Sequence, residues 1–127
     1  MMVTGTVTKA DGTTYRKSAL NDIVISRAGF SRLIGLNVSV DGQVLDTYEA
    51  DGVVISTPTG STGYNLSAGG PIVSPDAELL VITPVSPHSL TAKSIVLSGK
   101  ERITIEITKK RKTQDTEAIC SFDGGND

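Results

Sequence analysis

Apolar and polar residues alternate with a period of two over much of the chain, which is the pattern of half-buried β-strands. The clearest run extends from Ile103 to Ile107, and a second one extends from Leu36 to Val40. Successive side chains of a strand point to opposite faces of a sheet. Each run therefore predicts a strand with one face in a core and the other face towards solvent.

Further strands are predicted from short β-prone or apolar runs bounded by turn signals. The Asp-Gly pairs that begin at Asp11 and Asp41 mark hairpin turns. We expect a loop from Pro84 to Pro87. The other predicted strands are Met2–Thr8, Tyr15–Lys17, Ala19–Arg27, Gln43–Glu49, Val53–Ile55, Leu79–Thr83, Ile95–Leu97 and Ala118–Phe122, the last as partner of the Ile103–Ile107 run. Many short strands with a single helical stretch predict an all-β sandwich, with residues 1–127 as one domain.

The composition narrows the class of protein. With 127 residues and a formal net charge of −2, the chain can bury a real core but offers no strong positive field to nucleic acid or to an anionic membrane. Its single cysteine excludes an internal disulfide and favours a reducing cytoplasm. No apolar run is long enough for a membrane span, and we assign no role to the basic run Lys109–Lys112. We therefore expect a cytoplasmic protein without a nucleic-acid or membrane partner.

One segment, Asp51 to Pro75, departs from the alternating pattern. It begins with the apolar run Val53–Ile55, which predicts a buried strand, and continues with eight consecutive residues that lack a large side chain, Ser56–Gly63, five of which carry hydroxyl groups. A short helix is predicted over Tyr64–Ala68, because the Gly-Gly-Pro sequence that follows is a stop signal. A strand, a loop of small residues and a short helix are a suitable framework for a ligand.

The loop does not have the sequence of a phosphate-binding P-loop, because no Gly-Lys-Ser/Thr sequence ends it. Glycines let a ligand approach the main chain, while hydroxyl and N–H groups can meet the edge of a purine or a sugar. We further predict that Thr62 caps the short helix. A Ser/Thr-rich turn without a ligand is the alternative interpretation.

Three other polar positions are candidates for a site. Asn21-Asp22 interrupts an apolar stretch, and because an unpaired carboxylate is costly to bury, the pair should face solvent, a partner or a ligand. Asp51 precedes a glycine, and an Asp-Gly pair is typical of a turn. The alternative interpretation of Asp51 is an acceptor for ribose hydroxyl groups. His88 is the only histidine and the chain has no cysteine cluster, so no metal site is predicted.

Taken together, these motifs resemble those of the NAD kinase family over nearly the whole chain. The resemblance is carried by Leu20–Asp22, Asp51-Gly52, Ser56–Tyr64, Ser67–Pro71 and Pro87–Leu90. It implies phosphoryl transfer from ATP, or from polyphosphate in some members, to the 2′-hydroxyl of the adenosine ribose of NAD, giving NADP. Mg²⁺ would accompany the donor. It also implies that the chain is the C-terminal β-sandwich, which carries most of the NAD contacts and forms homodimers and homotetramers.

The resemblance also implies roles for single residues. Asn21 and Asp22 match an Asn-acid pair that contacts adenine and ribose hydroxyl groups, with Asp in place of the commoner Glu. Asp51 matches an acid that approaches the nucleotide, often from a neighbouring subunit. The other implied NAD-binding residues are Thr59, Thr62, Gly63 (in place of a more usual Ala) and Tyr64 in the loop that holds the adenine, Ser67 on the helix beneath it, and Ser86 and His88 in a wall near the dinucleotide.

No catalytic residue is expected in this chain. The Gly-Gly-Asp-Gly motif of the family, which belongs to an N-terminal α/β domain, does not occur in the sequence, and Gly125 stands where the family has the Gln of an Asp-Gly-Gln sequence. We expect a chain without its N-terminal kinase domain that binds NAD or NADP and does not phosphorylate it. A non-catalytic nucleotide-binding or assembly module is the alternative, and a carbohydrate-binding or adhesion sandwich is a more distant one.

Overall fold

The computed structural model describes residues 2–28, 34–108 and 118–126, which are mostly strands. The strands are β1 (Val3–Thr8), β2 (Thr14–Ala19), β3 (Asp22–Arg27), β4 (Ile34–Val40), β5 (Gln43–Ala50), β6 (Gly52–Ser56), β7 (Leu79–Val85), β8 (Ile95–Ser98), β9 (Ile103–Thr108), β10 (Ala118–Phe122) and β11 (Gly125–Asn126). A 3₁₀ turn (Thr59–Thr62) and helix α1 (Tyr64–Ser67) follow β6. No helix in these residues is long and apolar enough to cross a membrane. The basic run Lys109–Lys112 lies outside the described residues.

The strands form three antiparallel sheets. The largest has the order β11-β10-β3-β6-β7-β8, the second has the order β5-β4-β9, and β1 and β2 form a separate hairpin. The turn between β4 and β5 is tight, because Asp41 and Gly42 both adopt positive φ. In the largest sheet, the pairing of β3, β6 and β7 places Ile23, Ile55 and Ile82 side by side.

The apolar core lies between the sheets. Ile23, Ile55 and Ile82 belong to one buried cluster with Leu36 and Val38, which the alternating pattern of β4 directs inwards. The same cluster includes residues of β1, β2, β5 and β10, so it connects all three sheets. Two sheets that pack face to face around a shared core form a sandwich. The predicted all-β sandwich with one short helix is confirmed.

Strand β6 lies in the interior of the large sheet, and each of its residues is buried. Val53 and Ile55 belong to the core cluster, whereas Val54 points to the opposite face and is also buried. The 3₁₀ turn and α1 contact β6 as well. A strand that is covered on both faces requires a continuous apolar run instead of an alternating one. Because β6 is buried throughout, the position of its last residue, Ser56, is fixed, and the loop begins there.

Two predictions of strand arrangement are wrong. Pro84 belongs to β7, where it pairs with Val53. Strand β8 pairs only with Leu79–Ile82, so no strand lies beside Pro84 on the β8 side of β7. Proline is tolerated there because no partner strand requires a main-chain N–H from this residue. In addition, β10 pairs with β3 and β11, whereas β9, which contains the Ile103–Ile107 run, pairs with β4. Proximity in sequence suggested a hairpin, but each strand has a distant partner.

Candidate functional site

The candidate site begins at a break between two strands. The stretch Ala19–Arg27, predicted as one strand, is interrupted, because β2 ends at Ala19 and β3 begins at Asp22. Leu20 and Asn21 lie between the strands, and both are exposed, whereas Asp22 is buried. The interruption therefore separates the two polar residues, so that Asn21 is at the surface and Asp22 faces inwards.

Thr57 and Gly60 show why the loop after β6 consists of small residues. The Thr57 N–H donates to the carbonyl of Asn21 at 2.9 Å, and the Thr57 hydroxyl lies 2.7 Å from the carbonyl oxygen of Leu20 and 3.1 Å from that of Asn21. Gly60 packs so closely that a Cβ there would overlap the carbonyl oxygen of Asn21. Small residues thus allow the loop to pack directly on the main chain of residues 20–22.

The carboxylate of Asp123 binds the N–H groups of the same segment. Its Oδ2 accepts the N–H of Leu20 at 2.8 Å, and its Oδ1 accepts those of Asn21 at 2.7 Å and Asp22 at 3.2 Å. These hydrogen bonds, with that from Leu20 contributing most, lower the pKa of Asp123. Residues 20–22 are therefore held through their N–H groups by Asp123, while Thr57 holds two of their carbonyl groups.

Asp22 carries a carboxylate that this part of the chain buries without pairing. The residue is 7% exposed, and no described residue donates a hydrogen bond to its side chain. Burial raises the pKa of Asp22, and the negative charge of Asp123 raises it further. The carboxylate of this pair was expected to face solvent, a partner or a ligand. Because solvent scarcely reaches Asp22, a partner and a ligand are the alternatives that remain.

The outer surface of the 3₁₀ turn and α1 is polar and open. Thr59, Thr62, Gly63 and Ser67 are exposed, and Tyr64 is 47% exposed although it is aromatic. The predicted cap by Thr62 is wrong, because Gly63 occupies the N-cap position of α1 and no side chain makes a cap hydrogen bond. Thr62 is the last residue of the 3₁₀ turn, one position too early to cap the helix.

Asn65 holds this surface in place from below, and sequence reasoning missed it. Its Nδ2 donates to the carbonyl oxygens of Ser61 at 3.2 Å and Pro71 at 2.9 Å, and its Oδ1 accepts the hydroxyl of Thr83 at 2.6 Å. The hydroxyl oxygens of Thr83 and Ser94 lie 2.9 Å apart. The available signal was Thr83, a polar residue in an apolar strand, which requires a buried partner.

Asp51 precedes β6, at the end of the strand opposite to the loop. Arg27 Nε lies 2.7 Å from Asp51 Oδ1, and the Arg27 N–H donates to the Asp51 carbonyl at 2.8 Å. Both side chains are 35% exposed, so the ion pair is partly screened by water and contributes about 1 kcal/mol at most. The pair orients Asp51 without burying it.

Ser86 and His88 lie near Asp51. The Asp51 N–H donates to the carbonyl of Val85 at 3.0 Å, and the His88 N–H donates to the carbonyl of Glu49 at 2.7 Å. Ser86 and His88 are exposed, and Ser86 adopts a φ of 48°, which turns the chain sharply at the end of β7. The three residues thus share one end of the large sheet.

A cavity of about 110 Å³ opens next to this end, between β5 and residues 87–92. Pockets for small molecules enclose roughly 300–1,000 Å³, so this cavity is too small for a dinucleotide. This cavity alone therefore does not form a dinucleotide site.

The residues predicted to form one site fall into two groups at opposite ends of β6. Five residues of strand separate the groups, which at about 3.3 Å per residue is on the order of 17 Å. One group lies at the loop end: Asn21, Asp22, Thr59, Thr62, Gly63, Tyr64 and Ser67. The other lies at the start of β6: Asp51, Ser86 and His88.

Comparison with known proteins identifies relatives of the whole chain. Residues 20–127 match the family model described as the ATP-NAD kinase C-terminal domain. An NAD kinase of Lachnoclostridium phytofermentans is 52% identical over 98% of the chain and 44% of its own length. An NAD kinase of Agathobacter rectalis is 51% identical over 89% of the chain and 40% of its own length. The chain thus spans less than half of the curated relatives that it matches.

Two solved structures share the fold. Yeast NADH kinase in complex with NADH has a TM-score of 0.91 and 35% identity, over 99% of this chain and 36% of the yeast chain. An NAD kinase from Archaeoglobus fulgidus in complex with ATP has a TM-score of 0.77 and 30% identity, over 95% of this chain and 43% of the archaeal chain. Both matches cover the sandwich and leave most of the longer chain unmatched.

Proposed function

Since the chain belongs to the ATP-NAD kinase C-terminal domain family, we propose that it is the part of an NAD kinase that holds the dinucleotide. The observation that carries this proposal is the buried Asp22 carboxylate, which receives no hydrogen bond from the described residues and follows the exposed Asn21 directly. A buried carboxylate requires hydrogen-bond donors, and the ribose hydroxyl groups of a bound dinucleotide would supply them.

In the whole enzyme, the 2′-hydroxyl of the adenosine ribose of NAD would receive a phosphoryl group from ATP or polyphosphate, giving NADP. The solved relatives were crystallised with NADH and with ATP, which agrees with a nucleotide as acceptor and a nucleotide as donor. Phosphoryl transfer requires positioning and neutralisation of charge more than covalent participation by the protein. This chain would supply positioning, and the Gly-Gly-Asp-Gly sequence that it lacks would supply the base.

Mg²⁺ would accompany the phosphate donor in this reaction. In residues 2–28, 34–108 and 118–126, no three side chains of His, Cys, Asp or Glu come together as a metal site. Mg²⁺ that acts with a nucleotide is usually held by one or two carboxylates together with phosphate oxygens and water, so the reaction does not require such a cluster in this chain. Its ligands would be phosphate oxygens, water and groups outside the described residues.

The loop and α1 would hold the adenine. Thr59, Thr62 and Ser67 present hydroxyl groups on the exposed surface, and Gly63 allows the base to approach the main chain. Tyr64 offers an exposed ring on the same surface. These groups lie beside Asn21 and Asp22, because Thr57 and Gly60 fix the loop on residues 20–22.

Asp51, Ser86 and His88 would reach the dinucleotide from a second copy of the chain. Within one copy, the length of β6 separates them from Asn21 and Asp22, so one adenosine cannot contact both groups closely. A homodimer or homotetramer in which the loop end of β6 in one copy meets the opposite end of β6 in another copy would complete the site.

We also propose a cytoplasmic location for the protein. The single cysteine agrees with a reducing cytoplasm.

A calorimetric double-mutant cycle tests the role of Asp22. We expect NAD to bind the 127-residue chain weakly, and an NAD analogue with deoxyribose in its adenosine half to bind about 10-fold more weakly. In Asp22→Asn this difference should shrink, since the hydroxyl acceptor has changed, while the exposed Asp76→Asn control should keep it. Equal affinity of wild-type chain for the two ligands would contradict the proposal.

An activity assay tests the division of labour. The purified chain, incubated with NAD, ATP and Mg²⁺, should form no NADP. Steady NADP formation that persists after host kinase has been excluded would show that the chain carries its own catalytic groups.

A further inference from the structure

We propose that Asp123 is a positioning residue of the dinucleotide site, because its carboxylate fixes the main chain from which Asn21 and Asp22 extend. The inference rests on the proposed function and adds a residue to it. Asp123 is about one hundred residues away from the pair in sequence and belongs to the turn between β10 and β11. It would contact no part of the ligand, and would act through the residues that do.

Asp123 contacts residues 20–22 through several hydrogen bonds, which together we call the clamp. The Asp123 carboxylate accepts three successive N–H groups, from Leu20, Asn21 and Asp22, and the Asp123 N–H donates to the carbonyl of Asp22 at 3.0 Å. Hydrogen bonds to an ionised carboxylate are about twice as strong as those between neutral groups. Four hydrogen bonds therefore link one residue to the three residues that carry the polar pair.

This clamp is needed because strand pairing does not hold the segment. Leu20 and Asn21 lie between β2 and β3, so no strand partner is available to their N–H groups. Thr57 accounts for the carbonyls of both residues, and Gly60 blocks movement of Asn21 towards the loop. If Asp123 were removed, the segment would be supported from one side only.

The turn that carries Asp123 is tight and adjoins the core. Asp123 has a φ of 52° and Gly124 a φ of 81°, a left-handed turn that aspartate and glycine tolerate better than other residues. The preceding Phe122 is 4% exposed and belongs to the core cluster, and it pairs with Gly125 across the turn. A buried aromatic anchor on one side and a tight turn on the other fix the direction of the carboxylate.

Asp123 also acts on Asp22 through its charge. Ser56, Thr57 and Gly60, which contact residues 20–22, are uncharged, and Asp123 is the one charged side chain of the described residues that shifts the pKa of Asp22. Since its three hydrogen bonds lower the pKa of Asp123, it stays ionised while Asp22 titrates. Removal of its charge would make Asp22 easier to ionise.

The chain contains a matched control in Asp41. Asp41 and Gly42 have φ values of 49° and 86°, nearly those of the Asp123 turn, and the Asp41 carboxylate also accepts a main-chain N–H, from Arg102 at 3.1 Å. This turn joins β4 and β5 in the other sheet. Asp41→Ala therefore reports what the loss of such a turn residue does to the protein without a change at residues 20–22.

The experiment compares NAD affinity in Asp123→Ala, Asp123→Asn and Asp41→Ala. We expect Asp123→Ala to weaken binding about 10-fold or more, Asp123→Asn to weaken it less because one acceptor oxygen remains, and Asp41→Ala to change it less than about 2-fold. In Asp123→Asn the midpoint of the pH dependence of binding should move to lower pH, which a purely structural role would not cause. If Asp123→Ala does not fold, the NAD affinity of Asp123→Asn and the pH dependence of its binding test the inference.

Wild-type affinity in the Asp123 variants, or an equal loss in Asp41→Ala, would overturn the inference while the proposed function stood. Hydrogen exchange of the Leu20, Asn21 and Asp22 amides gives a readout that does not require NAD. These amides should lose protection in the Asp123 variants and keep it in Asp41→Ala, and unchanged protection would overturn the inference. If wild-type chain fails to bind NAD while the amides lose protection, the proposed function fails and the clamp remains.

Discussion

The carboxylate of Asp22 accepts no hydrogen bond from the described part of the chain and is nevertheless buried. An ionised carboxylate prefers water, and both its burial and the charge of Asp123 oppose ionisation, so its pKa lies above the ordinary value of 3.8. Strained or unpaired polar groups persist where function requires them, and their cost is offset by the rest of the fold. At this position the function would be the recognition of ribose hydroxyl groups.

Asp22→Asn should therefore stabilise the free chain near neutral pH, by on the order of 1 kcal/mol, and weaken NAD binding. Because the folded-state pKa of Asp22 is raised, ionisation of this group lowers stability as pH rises from 3.8 through the folded value. The gain in Asp22→Asn should thus be present at neutral pH and absent below pH 3.8. Urea unfolding at the two pH values measures it, and Asp76→Asn, an exposed position, should show neither effect.

Two glycines of the loop offer a second test. A Cβ at Gly60 would overlap the carbonyl oxygen of Asn21, whereas a Cβ at Gly63 would lie 3.4 Å from the nearest atom, the carbonyl oxygen of Gly60. Gly60→Ala should lower the free energy of unfolding by about 1–3 kcal/mol and weaken NAD binding. Gly63→Ala should be tolerated within about 0.5 kcal/mol, and unfolding and calorimetry measure both. Equal behaviour of the two variants would contradict the packing described for the loop.

For single residues, the sequence identified the positions of candidate site residues better than the structural role of each. It marked Asn21, Asp22 and the small residues from Ser56 to Gly63, because polar residues inside an apolar stretch and runs of small residues are visible without coordinates. It assigned a helix cap to Thr62, whereas Gly63 occupies the N-cap position and no side chain caps α1. Asp123 is not among the predicted site residues, since a carboxylate that binds amides one hundred residues away leaves no local pattern.

Helix α1 has only four residues, too few to be stable as an isolated helix. It is stable here because Asn65 connects the 3₁₀ turn, the chain after the helix and β7 through its side-chain hydrogen bonds. Gly70 belongs to the same arrangement, because a Cβ there would overlap Oδ1 of Asn65. The adenine surface thus depends on a buried polar network instead of on helix propensity.

Asn65→Ala should lower the free energy of unfolding by about 2–3 kcal/mol, because it removes the side-chain donor to the carbonyls of Ser61 and Pro71 and one of the two partners of the Thr83 hydroxyl. NAD affinity should fall with it as the loop loosens. Asn37→Ala is the matched control, since Asn37 accepts one hydrogen bond from Thr47 at an exposed position and should cost less than about 1 kcal/mol. Urea unfolding compares the two, and similar costs would contradict the role given to Asn65.

Strands were predicted well where local pattern determines them. The run Leu36–Val40 alternates because it has one buried face, and Val53–Ile55 is continuously apolar because β6 is covered on both faces. In the run Ile103–Ile107, Ile103 and Ile105 pack against the core, whereas Ile107 is exposed. The pairing of β10 with β3 was missed, since pairing depends on which distant apolar faces fit together. Pro84 was misplaced because edges that tolerate proline are known only once the sheet is assembled.

For the whole molecule, the separation of the two residue groups by β6 matters most. One copy places Asn21, Asp22 and the loop at one end and Asp51, Ser86 and His88 at the other. The resemblance to the NAD kinase family implied both groups but no distance between them. Sequence motifs state which residues a site uses, whereas only the fold states whether one chain can bring them together.

The most direct test of the account is a map of NAD binding by amide NMR of the isotope-labelled 127-residue chain. We expect NAD to shift the signals of Asn21, Asp22 and residues 59–67, and to leave those of the Asp41-Gly42 turn unchanged. Signals of Asp51 and His88 should shift only if copies of the chain associate. Shifts confined to the cavity between β5 and residues 87–92, or no shifts with NAD in large excess, would contradict the claim that residues 20–22 and the loop hold the adenosine end of NAD.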